Sequence, residues 1–222
     1  MKKCGVMLVG LCGRSGSGKG YIAKMFAEYG IPSVDTDAVY RAMTSPAPRD
    51  ALSPCMTELV ERFGEGILAP DGSLDRAVMR SLVFGGDSGA LSDLNRITHR
   101  HILADTQTFA EQLWRDGADI VLIDAPVLYE SGFDKMCERV VCVTAPEDVI
   151  IARIMKRDGL SEDDAKRRLA SQKTRAELED RADYVIFNDD ERPVLYERVK
   201  RCTDSLREVR RAAYEDREDS RT

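Results

Sequence analysis

Apolar positions along the chain fall into two patterns. Short continuous runs occur at Val6-Met-Leu-Val9, Ile120-Val-Leu-Ile123, Val140-Val-Cys-Val143 and Tyr184-Val-Ile-Phe187, with a shorter one at Ile31-Pro-Ser-Val34. Runs of this length predict strands, and the continuous runs at 120–123 and 140–143 predict buried ones. Between them the spacing changes to that of one helical face: Ile22, Met25, Phe26 and Tyr29, then Met56, Leu59, Val60 and Phe63. The same spacing recurs at Val78, Leu82 and Val83, at Val149, Ile150, Ile151, Ile154 and Met155, and at Leu195, Val199, Leu206 and Val209. A further helical pattern runs from about Ser88 to Trp114. Breakers fit these limits. Gly30, Gly64 with Gly66, and Gly85-Gly86 close helices, residues 44–54 carry prolines at 46, 48 and 54, and Pro70-Asp-Gly-Ser73 is a turn. Pro146 opens a helix, and Ser161 with Asp164 predicts a capping box for the helix that follows. The residues from Arg192 to about Ala213 predict an amphipathic helix, and those from Glu215 to Thr222 a frayed end.

The chemistry begins where the first strand gives way to the first helix. Gly10-Leu-Cys-Gly13-Arg-Ser-Gly16-Ser-Gly18-Lys19-Gly20 carries the glycine and lysine spacing of a phosphate-binding P-loop. Glycines allow backbone torsions that turn successive N–H groups toward a phosphate at a helix N-terminus, and Lys19 adds a full charge. The position after the lysine, ordinarily a Ser or Thr that binds Mg²⁺, is Gly20. With strands alternating with helices behind such a loop, the expected fold is α/β: a doubly wound, five-stranded parallel sheet.

Carboxylates at strand ends are the next candidates, since open α/β sheets place ligands there. Asp35 and Asp37 follow the second run. They fit a base and Mg²⁺ partner, and equally a helix N-cap before Ala38-Val-Tyr-Arg41. Asp124, in Asp124-Ala-Pro126, fits either a ligand of Mg²⁺ or its waters, or an ordinary strand-ending turn. The helix ending in Arg153, Lys156 and Arg157 places Arg153 and Arg157 on one face, where they suit phosphate contacts. The cations at 166–181 are interleaved with acids and read mostly as solvated surface. His99 and His101 have no metal partner at i+4, so a polar or substrate-facing role is expected of them.

Bulk properties narrow the class. The 222 residues are 43% hydrophobic and 32% charged, as in a soluble globular protein, and suffice for one sizeable core or a core domain with an inserted subdomain. A net charge of −6 argues against general binding to nucleic acid or anionic membranes. The six cysteines are scattered without C-x-x-C, which argues against a disulfide framework and a zinc site, and Cys4, Cys12 and Cys142 read as small buried hydrophobes. No export signal or apolar span is evident, so the expectation is a cytoplasmic protein. No N-K-x-D motif occurs, which counts against a GTPase.

In order, these segments resemble the dephospho-coenzyme A kinase family over residues 5 to about 190. The resemblance rests on Gly10-Leu-Cys-Gly13 with Gly16-Ser-Gly-Lys19, Gly30-Ile-Pro-Ser-Val-Asp35-Thr-Asp37, and Phe63-Gly64. It continues through Asp71-Gly-Ser-Leu-Asp-Arg76, Val83-Phe84, Ile97-Thr-His99, Asp124-Ala-Pro-Val-Leu-Tyr-Glu130, Arg157-Asp-Gly159, Ser171-Gln172, and Ala182-Asp183 through Asn188. It implies ATP with Mg²⁺, dephospho-CoA as acceptor and no nucleic-acid or membrane partner, in a monomer or weak homo-oligomer. It also implies one domain: a core at about 1–43, 115–156 and 183–215, a helical CoA-binding insertion at about 50–114, and a mobile lid at about 157–182.

The site residues follow from the same likeness. Gly13, Arg14, Ser15, Gly16, Ser17, Gly18, Lys19, Gly20, Tyr21 and Asn188 would bind nucleotide. Asp37 would take the proton of the ribose hydroxyl, while Lys19, Arg153 and Arg157 would serve the transferring phosphoryl group. Asp35, Asp37, His99, Asp124, Pro126 and Leu128 would meet the acceptor, with Asp35 and Asp124 holding metal through water. The sequence departs from the family at Gly20 (Ser or Thr), Arg14 (Gly) and Arg100 (Pro). Its rivals are a small-molecule P-loop kinase for a nucleoside monophosphate, shikimate or gluconate, and a nucleotide-binding protein in which Gly20 leaves catalysis weak.

Overall fold

A computed structural model of the chain describes residues 5–86, 88–189 and 191–219. The expectations for Cys4 and for the last three residues lie outside the described residues. Two compact units divide it: residues up to Val34 together with those from Ala110 onward, and Asp35–Phe109.

The first unit holds a sheet of five strands: β1 (Met7–Cys12), β2 (Ser33–Asp35), β3 (Ile120–Asp124), β4 (Arg139–Thr144) and β5 (Tyr184–Phe187). Their order is β2-β3-β1-β4-β5. Pairing is parallel, with Val9 beside Leu122, Leu11 beside Val141 and Val143 beside Ile186. Parallel neighbours demand crossovers, and the helices that make them cover the faces. This is why the β3 and β4 runs read as continuously apolar, whereas the edge strand β5 leaves Val185 and Phe187 exposed.

Helices α1 (Lys19–Glu28) and α9 (Arg192–Asp219) share one core with the sheet. Ile22, Met25 and Phe26 of α1 pack there with Val9, Leu11, Leu122, Val141 and Ile186 of the strands and Leu195, Val199 and Leu206 of α9. The period seen in the sequence is therefore the buried stripe of each helix. Helix α9 continues past the expected end at 213, as far as Asp219. A second cluster joins α6 (Glu147–Asp158) to α7 (Glu162–Ala170), through Ile150, Ile151, Ile154, Ala165 and Leu169. A short helix, α8 (Arg175–Glu179), follows.

The second unit is helical: α2 (Thr36–Met43), α3 (Pro54–Phe63), α4 (Arg76–Phe84) and most of α5 (Ala90–Arg115). Cys55, Met56, Leu59, Ile67, Leu74, Met79 and Ile97 are buried. Polar ties hold its loops. Ser53 caps α3 at the Met56 amide and donates to the Met43 carbonyl, and Arg62 Nε binds Asp93 at 2.6 Å. Glu58 accepts from Arg100 and meets His101 at 2.9 Å. Val78 and Leu82, which share one face of α4, are exposed, and so is Phe84; Met79 is the buried residue of that helix.

The expected capping is corrected. Ser161 does cap α7 through the Asp164 amide, but the Asp164 carboxylate returns to the Ser161 hydroxyl at 2.5 Å, not to its backbone. The reciprocal box is Thr174 with Glu177 at α8. Among the described residues no helix is long and apolar enough to cross a membrane.

Candidate active site

The loop 13–18 joins β1 to α1 at the carboxyl edge of the sheet. Gly18 stands at φ +90°, a left-handed conformation that a side chain resists, and caps α1 with no side-chain hydrogen bond. Its shape is also forced by contact: a Cβ on Gly18 would lie 1.9 Å from Asn188 Nδ2. The Lys19 and Gly20 amides, in the first turn of α1, make no hydrogen bond among the described residues. They are the orphan donors of a helix start, with the positive end of its dipole behind them.

Asn188 and Arg153 brace the loop from beneath. Buried Asn188, which follows β5, donates Nδ2 to the Ser17 carbonyl at 2.7 Å. Arg153 Nη2 donates to the Asn188 carbonyl at 3.0 Å. Three buried polar atoms here lack partners among the described residues: Arg14 Nε, Ser17 Oγ and Arg153 Nη1. Arg153 Nη1 lies 3.8 Å from the Cβ position of Gly18. An unpaired guanidinium nitrogen beside a loop of free amides suits an anion, because a buried donor without a partner is costly.

Lys19 pairs with Asp124 at the tip of β3, and both side chains are largely buried. The loop lysine and the strand-end carboxylate, separately legible in sequence, thus form one ion pair. Arg157 is placed differently from Arg153. It grips Asp158 with two bonds of 2.8 Å and touches Ser15 Oγ at 3.2 Å. The Arg157 bonds, aided by Arg168, hold the Asp158 carboxyl down at about 2.

Residues 157–182 meet the loop at further points that sequence did not announce. Gln172 Oε1 accepts from the Ser15 amide at 3.0 Å. Arg14 Nη2 donates to the Leu169 carbonyl at the end of α7 at 2.9 Å, and Nη1 to Glu147 at 3.1 Å. These pairs are 133 to 157 residues apart in the chain, so no local pattern signals them. Lys173 approaches Glu130 at 3.8 Å, and the Arg181 guanidinium stacks over the Tyr129 ring at 3.8 Å.

Of the other expected residues, Tyr21 and Pro126 are exposed, whereas Leu128 is buried and packs over Gly10, whose added Cβ would lie 2.7 Å from Leu128 Cδ2. In the second unit Asp35 caps α2, accepting from the Asp37 and Ala38 amides at 2.9 and 3.2 Å. The cap reading of Asp35 is therefore realised, with its other oxygen 3.4 Å from Arg41. Asp37 lies in the first turn of the same helix. His99 is half-buried, and burial lowers its pKa.

Among the described residues no group of three or more His, Cys, Asp or Glu side chains is arranged to hold a metal. Magnesium is ordinarily bound by one or two carboxylates plus substrate phosphates and waters, without a protein cage. Asp124 beside the loop fits that donor set, and Gly20 contributes no side chain to it.

A glycine-rich strand-to-helix loop at the carboxyl edge of a parallel sheet, with its lysine and free amides, defines a P-loop nucleotide-binding protein. The comparisons with known proteins narrow this. The model of the dephospho-CoA kinase family matches residues 7–193, and this chain belongs to that family. It is 37% identical to a dephospho-CoA kinase of Halalkalibacterium halodurans over 182 residues, 82% of this chain and 88% of that one. A dephospho-CoA kinase of Dechloromonas aromatica is 38% identical over 193 residues, 86% and 89% of the two chains. Among solved structures, TT1252 of Thermus thermophilus superimposes with a TM-score of 0.73 at 27% identity, covering 90% of this chain and 97% of that one. The dephospho-CoA kinase of Campylobacter jejuni does so at 0.57 with 20% identity, covering 91% and 98%, which speaks to the fold.

Proposed function

We propose that this chain transfers the γ-phosphoryl group of ATP to the 3′-hydroxyl of the dephospho-CoA ribose, giving coenzyme A and ADP. The observation that carries this reading is the family match over residues 7–193, which includes the whole phosphate loop.

The residues divide the task as follows. The loop amides of residues 13–20 and Lys19 hold the β- and γ-phosphates, with Tyr21 and Asn188 at the edges of the nucleotide site. The ribose O3′ attacks Pγ, the bond from Pγ to the bridging oxygen breaks, and Asp37 accepts the hydroxyl proton. Arg153 and Arg157 neutralise charge on the equatorial oxygens, which carry most of it in a loose transition state. Asp35, capping the helix that bears Asp37, fixes that helix start and with it the base. His99, Pro126 and Leu128 shape the acceptor's surroundings, within a helical insertion at about 50–114 and the segment after β3. Residues 157–182 act as the lid that excludes water from the phosphoryl group.

Asp124 and Asp35 would hold magnesium through water, and the ion would supply charge neutralisation to the phosphates of ATP. Lys19 alternates in this reading between Asp124 and the incoming phosphates. The chain works in the cytoplasm as a monomer or weak homo-oligomer, without nucleic-acid or membrane partners.

The test is a coupled ADP-release assay with ATP, Mg²⁺ and dephospho-CoA, with coenzyme A identified by mass. Turnover of a nucleoside monophosphate, shikimate or gluconate in place of dephospho-CoA overturns the reading. Nucleotide binding without product over every acceptor overturns it in favour of a binding protein.

A further inference from the structure

Far from the phosphate loop, where β2 and β3 begin, a cleft of ≈ 350 Å³ opens between two turns and α9. Arg207, Arg210 and Arg211 line it from α9, facing Asp119 and the backbone of Gly30 and Gly117. Strand β1 runs from this end of the sheet to the loop, so its six residues separate the two sites by roughly 20 Å. No residue assigned to phosphoryl transfer lies here.

Two of the arginines are fixed in place. Arg207 Nη2 donates to the Tyr29 carbonyl at 2.6 Å. Arg210 is clamped by the Asp119 carbonyl at 2.7 Å, the Asp119 carboxylate at 2.8 Å and the Gly5 carbonyl at 3.0 Å. The third, Arg211, is exposed and has no hydrogen bond or ion pair among the described residues. Among the described residues Asp119 is the one acid lining the cleft, and it is already engaged with Arg210. Three positive groups against one negative leave a local charge of +2 (3 − 1) in a chain whose net charge is −6. Arg207 and Arg211 are also an i, i+4 pair of like charge, which opposes the helix that holds them unless an anion lies between. Added Cβ atoms on Gly30 and Gly117 would meet nothing within 4 Å, so the turn backbone leaves the cleft open.

We propose that this cleft is a second anion site, one that takes a phosphate-bearing small molecule. Guanidinium forks match phosphate oxygens two at a time; Arg207 spends Nη2 on the Tyr29 carbonyl and keeps other N–H groups, and Arg211 is uncommitted among the described residues. The volume lies at the lower end of small-molecule sites, suited to a diphosphate or a nucleotide-sized ester and larger than a lone phosphate needs.

The test titrates inorganic pyrophosphate into the full chain by calorimetry at low salt. Lys19→Ala removes the loop's contribution and is expected to retain pyrophosphate binding. Adding Arg207→Gln and Arg211→Gln to that variant is expected to weaken the remaining binding at least tenfold. In the otherwise native chain, the same two substitutions are expected to leave dephospho-CoA turnover unchanged. Should the triple variant melt early, Arg211→Gln alone in the Lys19→Ala background serves, because that side chain bonds to no described residue. Loss of all binding in Lys19→Ala, or equal binding with and without the arginine substitutions, overturns the proposal.

Discussion

Gly18→Ala is the sharpest perturbation of the loop, because two separate forces oppose it. The first is conformational: at φ +90° an alanine costs about 1–2 kcal/mol. The second is a collision, since the new methyl would lie 1.9 Å from Asn188 Nδ2. Asn188 is 4% exposed and has no room to swing aside without releasing the Ser17 carbonyl it holds at 2.7 Å. Leaving a buried carbonyl unpaired costs about 1–3 kcal/mol. Together these give about 2–5 kcal/mol, and for a chain of this size each kcal/mol lowers Tm by about 2–4 °C. Urea unfolding followed by circular dichroism measures the loss, and a cycle with Asn188→Ala divides it. In the Asn188→Ala background the collision is absent, so Gly18→Ala then costs its conformational part, about 1–2 kcal/mol. A coupling of at least about 1 kcal/mol is the expected result. Costs that add within about 0.5 kcal/mol refute the reasoning, because independent sites behave that way.

Three further outcomes are expected. At Gly20 an added Cβ meets nothing within 4 Å, so Gly20→Ser folds with stability unchanged or raised by about 0.5 kcal/mol. Its hydroxyl lowers the Mg²⁺ concentration for half-maximal rate by about tenfold, and an unchanged metal titration counts against the proposed metal position. Asp37→Asn lowers kcat by about 10²–10⁴-fold while ATP affinity, measured by calorimetry, stays within about threefold; near-normal turnover removes Asp37 from the role of base. Asp158 titrates at about 2, below its ordinary value, so the folded state binds fewer protons than the unfolded one between those two pH values. Its stabilisation is complete above about pH 4 and fades as pH falls toward 2. Asp158→Asn therefore flattens the acid limb of the urea midpoint against pH, and a slope equal to wild type would show that the pair with Arg157 and Arg168 contributes nothing.

What was legible in sequence follows the range of the forces involved. The loop could be read because its glycines and lysine act within a few bonds of each other, and the inner strands because burial on both faces leaves few polar positions. Asp124 was readable as a strand-tip carboxylate, but its pairing with Lys19 joins residues 105 apart. Likewise Arg14 departs visibly from the family pattern, yet nothing near it points to the Leu169 carbonyl. Asn188 was readable as a candidate beside the nucleotide, but its hold on the Ser17 carbonyl joins residues 171 apart. The Thr174 and Glu177 box stands in the sequence as T-x-x-E, and its acid is one carbon longer than the Asp164 that bonds the Ser161 hydroxyl. On α4 the helical period was right, but period alone does not say which face a neighbour covers.

The strand order β2-β3-β1-β4-β5 has a consequence for how the chain is made. Strand β1 is the first of the five to leave the ribosome, yet it lies in the middle of the sheet, and both its neighbours come late. Its last residue is Cys12 and its first partner begins at Ile120. At about 5–20 residues per second, the intervening stretch takes roughly 5–20 s to synthesise. Through that interval an apolar strand waits with both edges open, and the helical unit 35–109 emerges and can fold while it waits. The stretch that anchors the phosphate site is therefore also the one most in need of shelter during translation.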